Sequence, residues 1–411
     1  MTRKTICTGV DCGNNSIKIV PEQMTKNNFQ NVYMKVRESN KDVIEREYKL
    51  SYGNAPKLYG KSLRNLLHVK ITKNGKGYTE EYLFGQACMK FKNEDTMSIA
   101  ERGKDFKHND IDLINNSIIV AVNSQLELLT KEQISEDMKL DLSIGVGLPI
   151  SEYNAGNSEV DPRKIFENNF LGEYTLEFLH PQYPIKKVNL KISNVKVSRE
   201  GLSPLNDSAS SKLYDEDGNS LMSKYKNKYF LVMDGGCYTY DIAALKVIYN
   251  MNDMDYTVEV VSSFTDSAKT GIGTALDSVL SYVNNHKAIE VGNNRTFDRQ
   301  EISIAIMQDG VLEGEIDISD NYINSVTDVA RANAEFFYNK MERSKIPFAS
   351  VEEILICGGS AKIPEYVKTV KEVLLSKYPK MDNEVFKIAE EPVMQNAISY
   401  LADISDVVEE E

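Results

Sequence analysis

Two aspartates in this chain, Asp11 and Asp234, sit in stretches of the same design. Asp11-x-Gly13-x-x-Ser16-x-Lys18 parallels Asp234-x-Gly236-x-x-Thr239-x-Asp241. A carboxylate at the end of an apolar strand is costly to bury unless a cation sits on it. Glycines beside it allow a tight turn and let a ligand approach the backbone closely. Carboxylate, glycine and hydroxyl at this spacing suit the grip of a metal-bound polyphosphate. Taken alone, Asp234-Gly235-Gly236 equally suits a hairpin that uses these residues for backbone geometry. The near-copy at Asp11 favours the phosphate reading, and with it two similarly folded halves facing one ligand.

The elements that must position these residues follow from hydrophobic periodicity. Thr5 to Val10 and Ser16 to Val20 predict one hairpin, and Tyr229 to Met233 with Thr239 to Leu245 predict the other. Val188 to Val197 is a strand leading to a third strand-end carboxylate, Glu200. Val351 to Cys357 is a strand that runs through Gly358-Gly359-Ser360 into a helix. A glycine pair there lets backbone N–H groups and a flat ligand approach, although the same pattern also makes ordinary structural turns. Ser267 to Gly273, including Gly271, opens a helix through Val283. Further helices are expected over Ile111 to Leu129, from Pro162 through Phe166, over Tyr322 to Arg343 and over Gln395 to Ile404. Leu140 to Leu148, Leu176 to Phe178 and Tyr256 to Phe264 read as strands. Residues 21–107 read as a small, mostly β subdomain, with alternating segments at Glu47 to Tyr52 and Thr79 to Phe84 and an exposed hairpin tip across Lys70 to Gly77. The polar, helix-poor stretch 205–227 is the expected passage between halves, and 284–320 reads as irregular with short strands.

Composition bounds the function. A chain of 411 residues suits two domains. Its 41% hydrophobic and 27% charged residues are ordinary for a globular protein. A net charge of −13 argues against direct nucleic-acid binding, which needs a basic surface. With no apolar run of transmembrane length, no membrane span is expected. The start, Met1-Thr2-Arg3-Lys4, leads almost directly into a strand, so no secretory signal is read. Five cysteines without C-x-x-C spacing and four scattered histidines argue against zinc and a disulfide framework. They fit a cytoplasmic location.

Five pieces stand in one order: the Asp11 hairpin, the strand ending near Glu200, the Asp234 hairpin, the Gly358-Gly359 turn, and Pro392 before the last helix. This order resembles the actin-like ATPase superfamily, and above all the bacterial plasmid-segregation actins of the ParM type. Asp11 to Lys18, with Gly13, Asn14, Asn15 and Ser16, looks like the family's first phosphate loop. Asp234 to Asp241, with Gly235, Gly236, Cys237, Tyr238 and Thr239, looks like the second. Leu148 to Tyr153 and Asn194 to Gly201 are similar to ParM-type segments. Ile356 to Ala361, with Gly358, Gly359 and Ser360, resembles the adenosine motif. Cys237 and Tyr238 stand where the family carries a glycine and a small hydroxyl residue, and Ala397 where a glycine is common.

The resemblance implies an α/β, actin-like (repeated ribonuclease H-like) two-domain fold with a nucleotide cleft between domains. The expected domains are 1–204 plus 393–411, including a β-rich subdomain at about 35–105, and 205–392. It implies an ATPase that binds ATP or ADP, with GTP as the alternative, and Mg²⁺ at Asp11 and Asp234. Lys18 would place a charge on the outer phosphates, and Glu200 would activate water. Gly271 would face the ribose or phosphates, while Arg331 and Glu335 on the long helix are placed to reach the adenosine. The implied partners are further copies of the chain, in a polar filament, and a DNA-binding adaptor of a plasmid partition complex. A metabolite kinase of the same fold and a nucleotide-binding scaffold without turnover are the alternatives.

Overall fold

The structure, a computed structural model, describes every residue except 1–4, 14–15, 24, 53–54, 90, 92–96, 99–105, 156–159, 253, 288–295, 309, 381 and 410–411. The chain divides into two compact units, one of residues 1–148, 152–199 and 396–411, the other of residues 149–151 and 200–395.

The first unit is built on a ten-stranded sheet. Its strands are β1 (Ile6–Cys12), β2 (Ser16–Pro21), β3 (Asn27–Gln30), β4 (Val32–Lys35), β5 (His68–Lys73), β6 (Tyr78–Phe84), β7 (Met97–Ser98), β8 (Asp137–Leu148), β9 (Gly172–Phe178) and β10 (Lys187–Arg199). They lie in the order β3-β2-β1-β8-β10-β9-β5-β6-β4-β7. β1 to β3 form an antiparallel meander, while β8 joins β1 in parallel and β10 joins β8 in parallel. Parallel strands need both faces covered. β1 and β8 meet this with long apolar runs whose Val10, Leu142, Ile144, Val146 and Leu148 are fully buried.

Helix α1 (Glu38–Tyr52) stands where an alternating strand was expected around Glu47 to Tyr52. Tyr48, Leu50 and Tyr52 alternate, but the side that packs is Asn40, Ile44 and Tyr48, a four-residue spacing. Leu50 is left 78% exposed. α2 (Ile111–Leu126) is capped by the Asp110 carboxylate, which accepts from the Leu113 N–H at 3.0 Å. α3 (Pro162–Phe170) begins with proline at its first turn, as the sequence suggests.

The second unit holds β11 (Tyr229–Gly235), β12 (Tyr240–Asn250), β13 (Asp255–Val260), β14 (Asp266–Ala268), β17 (Val351–Cys357) and β18 (Phe386–Ile388) in one sheet, with the path β13-β12-β11-β17-β18. β15 (Val311–Leu312) and β16 (Ile316–Asp317) pair separately. A helix, α4 (Leu202–Leu213), runs into the polar passage that was expected to be helix-poor. Its serines mask a helical stripe of Leu202, Leu205, Ala209 and Leu213, all buried against Phe230 and Val232. α5 (Gly273–Tyr282) follows β14, and α6 (Arg299–Gln308) occupies part of the segment read as irregular. The long α7 (Ser319–Arg343) and α8 (Pro364–Lys377) cover the other face of the sheet, burying Val326, Ala330, Phe337, Tyr366 and Val370.

The final helix, α9 (Gln395–Glu409), belongs almost wholly to the first unit. It lies on β1 and β8 where both carry glycine. A Cβ on Gly9 would stand 2.6 Å from the Leu401 nitrogen, and one on Gly145 would stand 2.7 Å from the Tyr400 carbonyl carbon.

Candidate functional site

In the first unit the chemistry-bearing residues gather at the end of β1. Asp11 faces Lys18 across the hairpin and is 6% exposed. Lys18 Nζ is 3.0 Å from Asp11 Oδ2, so the buried carboxylate has the cation its desolvation requires. The Gly13 N–H donates to the Asp11 carbonyl at 2.9 Å, and Asn31 Nδ2 donates to the Gly13 carbonyl at 3.0 Å. The turn is therefore held from two sides. A Cβ at Gly13 would stand 2.5 Å from both Lys18 Nζ and the Ser16 carbonyl oxygen, so only glycine lets the loop close this far. Ser16 opens β2, half-buried; Asn14 and Asn15 lie outside the described residues.

In the second unit Asp234 holds the corresponding place near the end of β11, 4% exposed. Its cross-strand partner is Asp241, also buried. Asp241 accepts from the Ile150 N–H at 3.1 Å and from the Ser267 hydroxyl. Burial, reinforced by the Asp234 charge, pushes the Asp241 carboxyl up to about 7.

Two backbone segments converge on Asp234 and its neighbour Gly235. Gly201 (φ 72°) approaches so closely that a Cβ on it would lie 3.3 Å from the Asp234 Cβ. Glu200, immediately before it, is 6% exposed. Gly358 (φ 80°) presses against Asp234 and Gly235, with a would-be Cβ 2.5 Å from the Gly235 carbonyl oxygen. Gly201 and Gly358 both need the left-handed freedom of glycine. Ser360 packs on Gly235, leaving no room for a side chain there. Asp234, Glu200, Gly235, Gly358 and Ser360 are thus brought together, with Gly359 opening the turn Gly359–Lys362 beside them.

The turn between β11 and β12 is tied to the residues before α5. Gly236 N–H donates to the Thr239 carbonyl at 2.9 Å, and Ile272 N–H to the Gly236 carbonyl at 3.0 Å. Gly273 N–H donates to the Cys237 carbonyl at 2.7 Å, and Gly271 N–H to the Tyr238 carbonyl at 3.3 Å. A Cβ on Gly271 would stand 2.5 Å from the Tyr238 nitrogen, so this approach also demands glycine.

The two hairpins rest on one topology used twice. In the first unit the strands β3-β2-β1-β8-β10 pair antiparallel, antiparallel, parallel, parallel, and β13-β12-β11-β17-β18 do the same in the second. Asp11 and Asp234 end the equivalent central strands. Comparison with solved structures agrees. The chain resembles the subunit of a 15-stranded ParM filament from Clostridium botulinum, with TM-score 0.65 and 16% identity over 99% of this chain and 100% of that one. It resembles the actin-like protein Alp7A, with TM-score 0.65 and 15% identity over 98% and 97%. An archaeal actin homologue in complex with ADP gives TM-score 0.60 and 14% identity over 99% and 100%. The chain has an actin-like fold of the ParM type. No protein-family model matches the sequence, and no curated protein matches it.

Within this ParM-type fold, Arg331 and Glu335 lie one turn apart on α7, both exposed, with Arg331 3.6 Å from Asp328. Asn333, some 200° round the helix, is buried and donates to the Thr270 carbonyl at 3.0 Å and the Tyr366 hydroxyl at 2.9 Å. The face of α7 that touches the segment carrying Gly271 is therefore Asn333's. Sequence reasoning also assigned nothing to Asp241 or Arg299. Asp241 was visible as the last position of the repeated pattern, whereas Arg299 stands in a segment with no local motif.

The first unit offers the buried Asp11 at its strand end, and the second offers Asp234 with Asp241 and Glu200 buried near it; among the described residues no three His, Cys, Asp or Glu side chains converge to form a metal cage. Either strand-end aspartate fits Mg²⁺, which keeps several waters and takes few carboxylates alongside phosphate oxygens.

Proposed function

We propose that this chain is an ATP-hydrolysing, filament-forming actin-like protein that segregates plasmid DNA through a DNA-bound adaptor. The reading is carried by the recurrence of a buried aspartate and a glycine turn at the same place in two copies of one topology. It is supported by the filament and the ADP complex among the structural neighbours. Phosphoryl transfer to water needs charge neutralisation and a placed nucleophile more than covalent help. Bound Mg²⁺ supplies part of that neutralisation. Asp11 and Asp234 are the residues that would hold the ion, and Lys18 would add a point charge beside Asp11. Backbone N–H groups of the two hairpin turns, Gly13 to Ser16 and Gly235 to Thr239, bind the phosphates, each charge-assisted bond contributing about 1.5–3 kcal/mol. Glu200 orients the attacking water. Gly271 and the Gly358-Gly359-Ser360 turn lie against the nucleoside.

Light scattering and phosphate release, followed together after adding ATP and Mg²⁺, test this reading. Scattering is expected to rise before phosphate appears and to fall afterwards. Phosphate release with no scattering at high protein concentration rules out the filament. Phosphate moved to a small molecule identifies a kinase, and ATP bound without turnover identifies a scaffold.

A further inference from the structure

Tyr238 puts a large phenol into the turn between β11 and β12, and the structure gives that phenol a partner. The Arg299 guanidinium donates to the Tyr238 hydroxyl and lies 4.7 Å from the ring centroid. Arg299 opens α6 and is 6% exposed. It also donates to the Gly273 carbonyl at 2.7 Å and pairs with Asp277 on α5. Gly273 in turn donates its own N–H to the Cys237 carbonyl. The contacts form a closed ring: loop residue 238 to Arg299, Arg299 to Gly273, Gly273 back to loop residue 237. α5, α6 and the β15–β16 pair have a core of their own, including Leu276, Val279, Phe297, Ile302, Leu312 and Ile316. The ring is thus where the turn carrying the phosphate-binding N–H groups is fastened to a separately packed lobe.

We propose that Tyr238 and Arg299 are positioning residues that latch this turn to the lobe and so set how fast nucleotide leaves. The inference rests on the nucleotide-binding reading above. A planar guanidinium with a fork of donors can hold the phenol, the carbonyl and the carboxylate at once, a geometry that lysine cannot reproduce. Without the phenol, the turn keeps its backbone ties to residues 271–273 but loses its side-chain anchor to α6.

The test is stopped-flow release of a fluorescent ADP analogue from the full chain, with thermal melts alongside. Wild type, Tyr238→Phe, Arg299→Lys and the double variant are compared. Each single change is expected to speed release roughly 10- to 150-fold, the range of one hydrogen bond to a charged group. The double variant should be no faster than the faster single, because both break one link. Tyr238→Phe keeps the ring and removes one oxygen from a half-buried residue, so it reports even where Arg299→Lys fails to fold. Wild-type release rates in folded Tyr238→Phe overturn the latch, as do single effects that multiply in the double variant. A wild-type chain that does not hold the ADP analogue overturns the nucleotide-binding reading itself, before any variant is compared.

Discussion

At the scale of single residues, the two strand-end aspartates differ in their company. Asp11 has Lys18 beside it, while Asp234 faces a second buried carboxylate, Asp241. With its carboxyl pushed up to about 7 by burial, Asp241 binds a proton in the folded state that the unfolded chain, at about 3.9, has already released. The folded state thus holds more protons between these values, so stability is greatest below about pH 4 from this group and falls as pH rises through 7. Urea midpoints without nucleotide or Mg²⁺ should drop between pH 5 and pH 7.5, and Asp241→Asn should flatten that drop. An equal drop in the variant would remove Asp241 as its source. The pattern Asp-x-Gly-x-x-Thr-x-Asp shows these carboxylates in the sequence, but their pairing needs the register of the hairpin. The partner of Tyr238 is illegible for a different reason: Arg299 reaches it only through the packing of α6, across sixty-one positions of chain.

At the scale of elements, periodicity succeeds where one face decides the fold and fails where composition distracts from it. The strands that carry Asp11 and Asp234 are near-continuous apolar runs, and long helices such as α7 have a clear stripe. α4 and α1 were misread because serines or charges hide a sparse apolar row, and the row becomes visible only when counted at three- and four-residue spacing. The approach of α9 to β1 and β8 is a stricter requirement. A Gly→Ala change in a strand normally gains about 0.4–1 kcal/mol by restricting the unfolded chain. At Gly145 the new methyl would run into the Tyr400 backbone, 3.1 Å from its Cβ and closer still to its carbonyl. Overpacking of this kind costs about 1–3 kcal/mol, so the balance is unfavourable. Gly145→Ala should lower the urea midpoint with an unchanged slope, and a midpoint at or above wild type would show that α9 can move away.

At the scale of the whole molecule, the repeat explains why so much function can be proposed from so few side chains. Two copies of one five-strand arrangement each carry a buried aspartate near the end of a central strand, and within the second unit Glu200 enters beside Asp234. On the proposed function, the two aspartates serve binding and Glu200 serves turnover. Removing Asp11 or Asp234 strips a hairpin of its carboxylate, whereas removing Glu200 leaves both hairpins and the Lys18–Asp11 pair in place. A chain of net charge −13 repels its copies, so assembly is best compared at physiological ionic strength, where the screening length is about 8 Å. Under those conditions Glu200→Gln, which keeps the side-chain volume, should assemble with ATP and Mg²⁺ to the wild-type scattering plateau. Its phosphate release should slow by at least about a hundredfold, the lower range for loss of a positioned acid–base group. Disassembly should slow in step, because the subunits stay loaded with ATP. If the variant's filaments fall apart at the wild-type rate, Glu200 does not act on water and disassembly does not wait for hydrolysis. If the variant fails to assemble at all while still binding ATP, Glu200 belongs to the machinery that closes the subunit around nucleotide rather than to the chemistry.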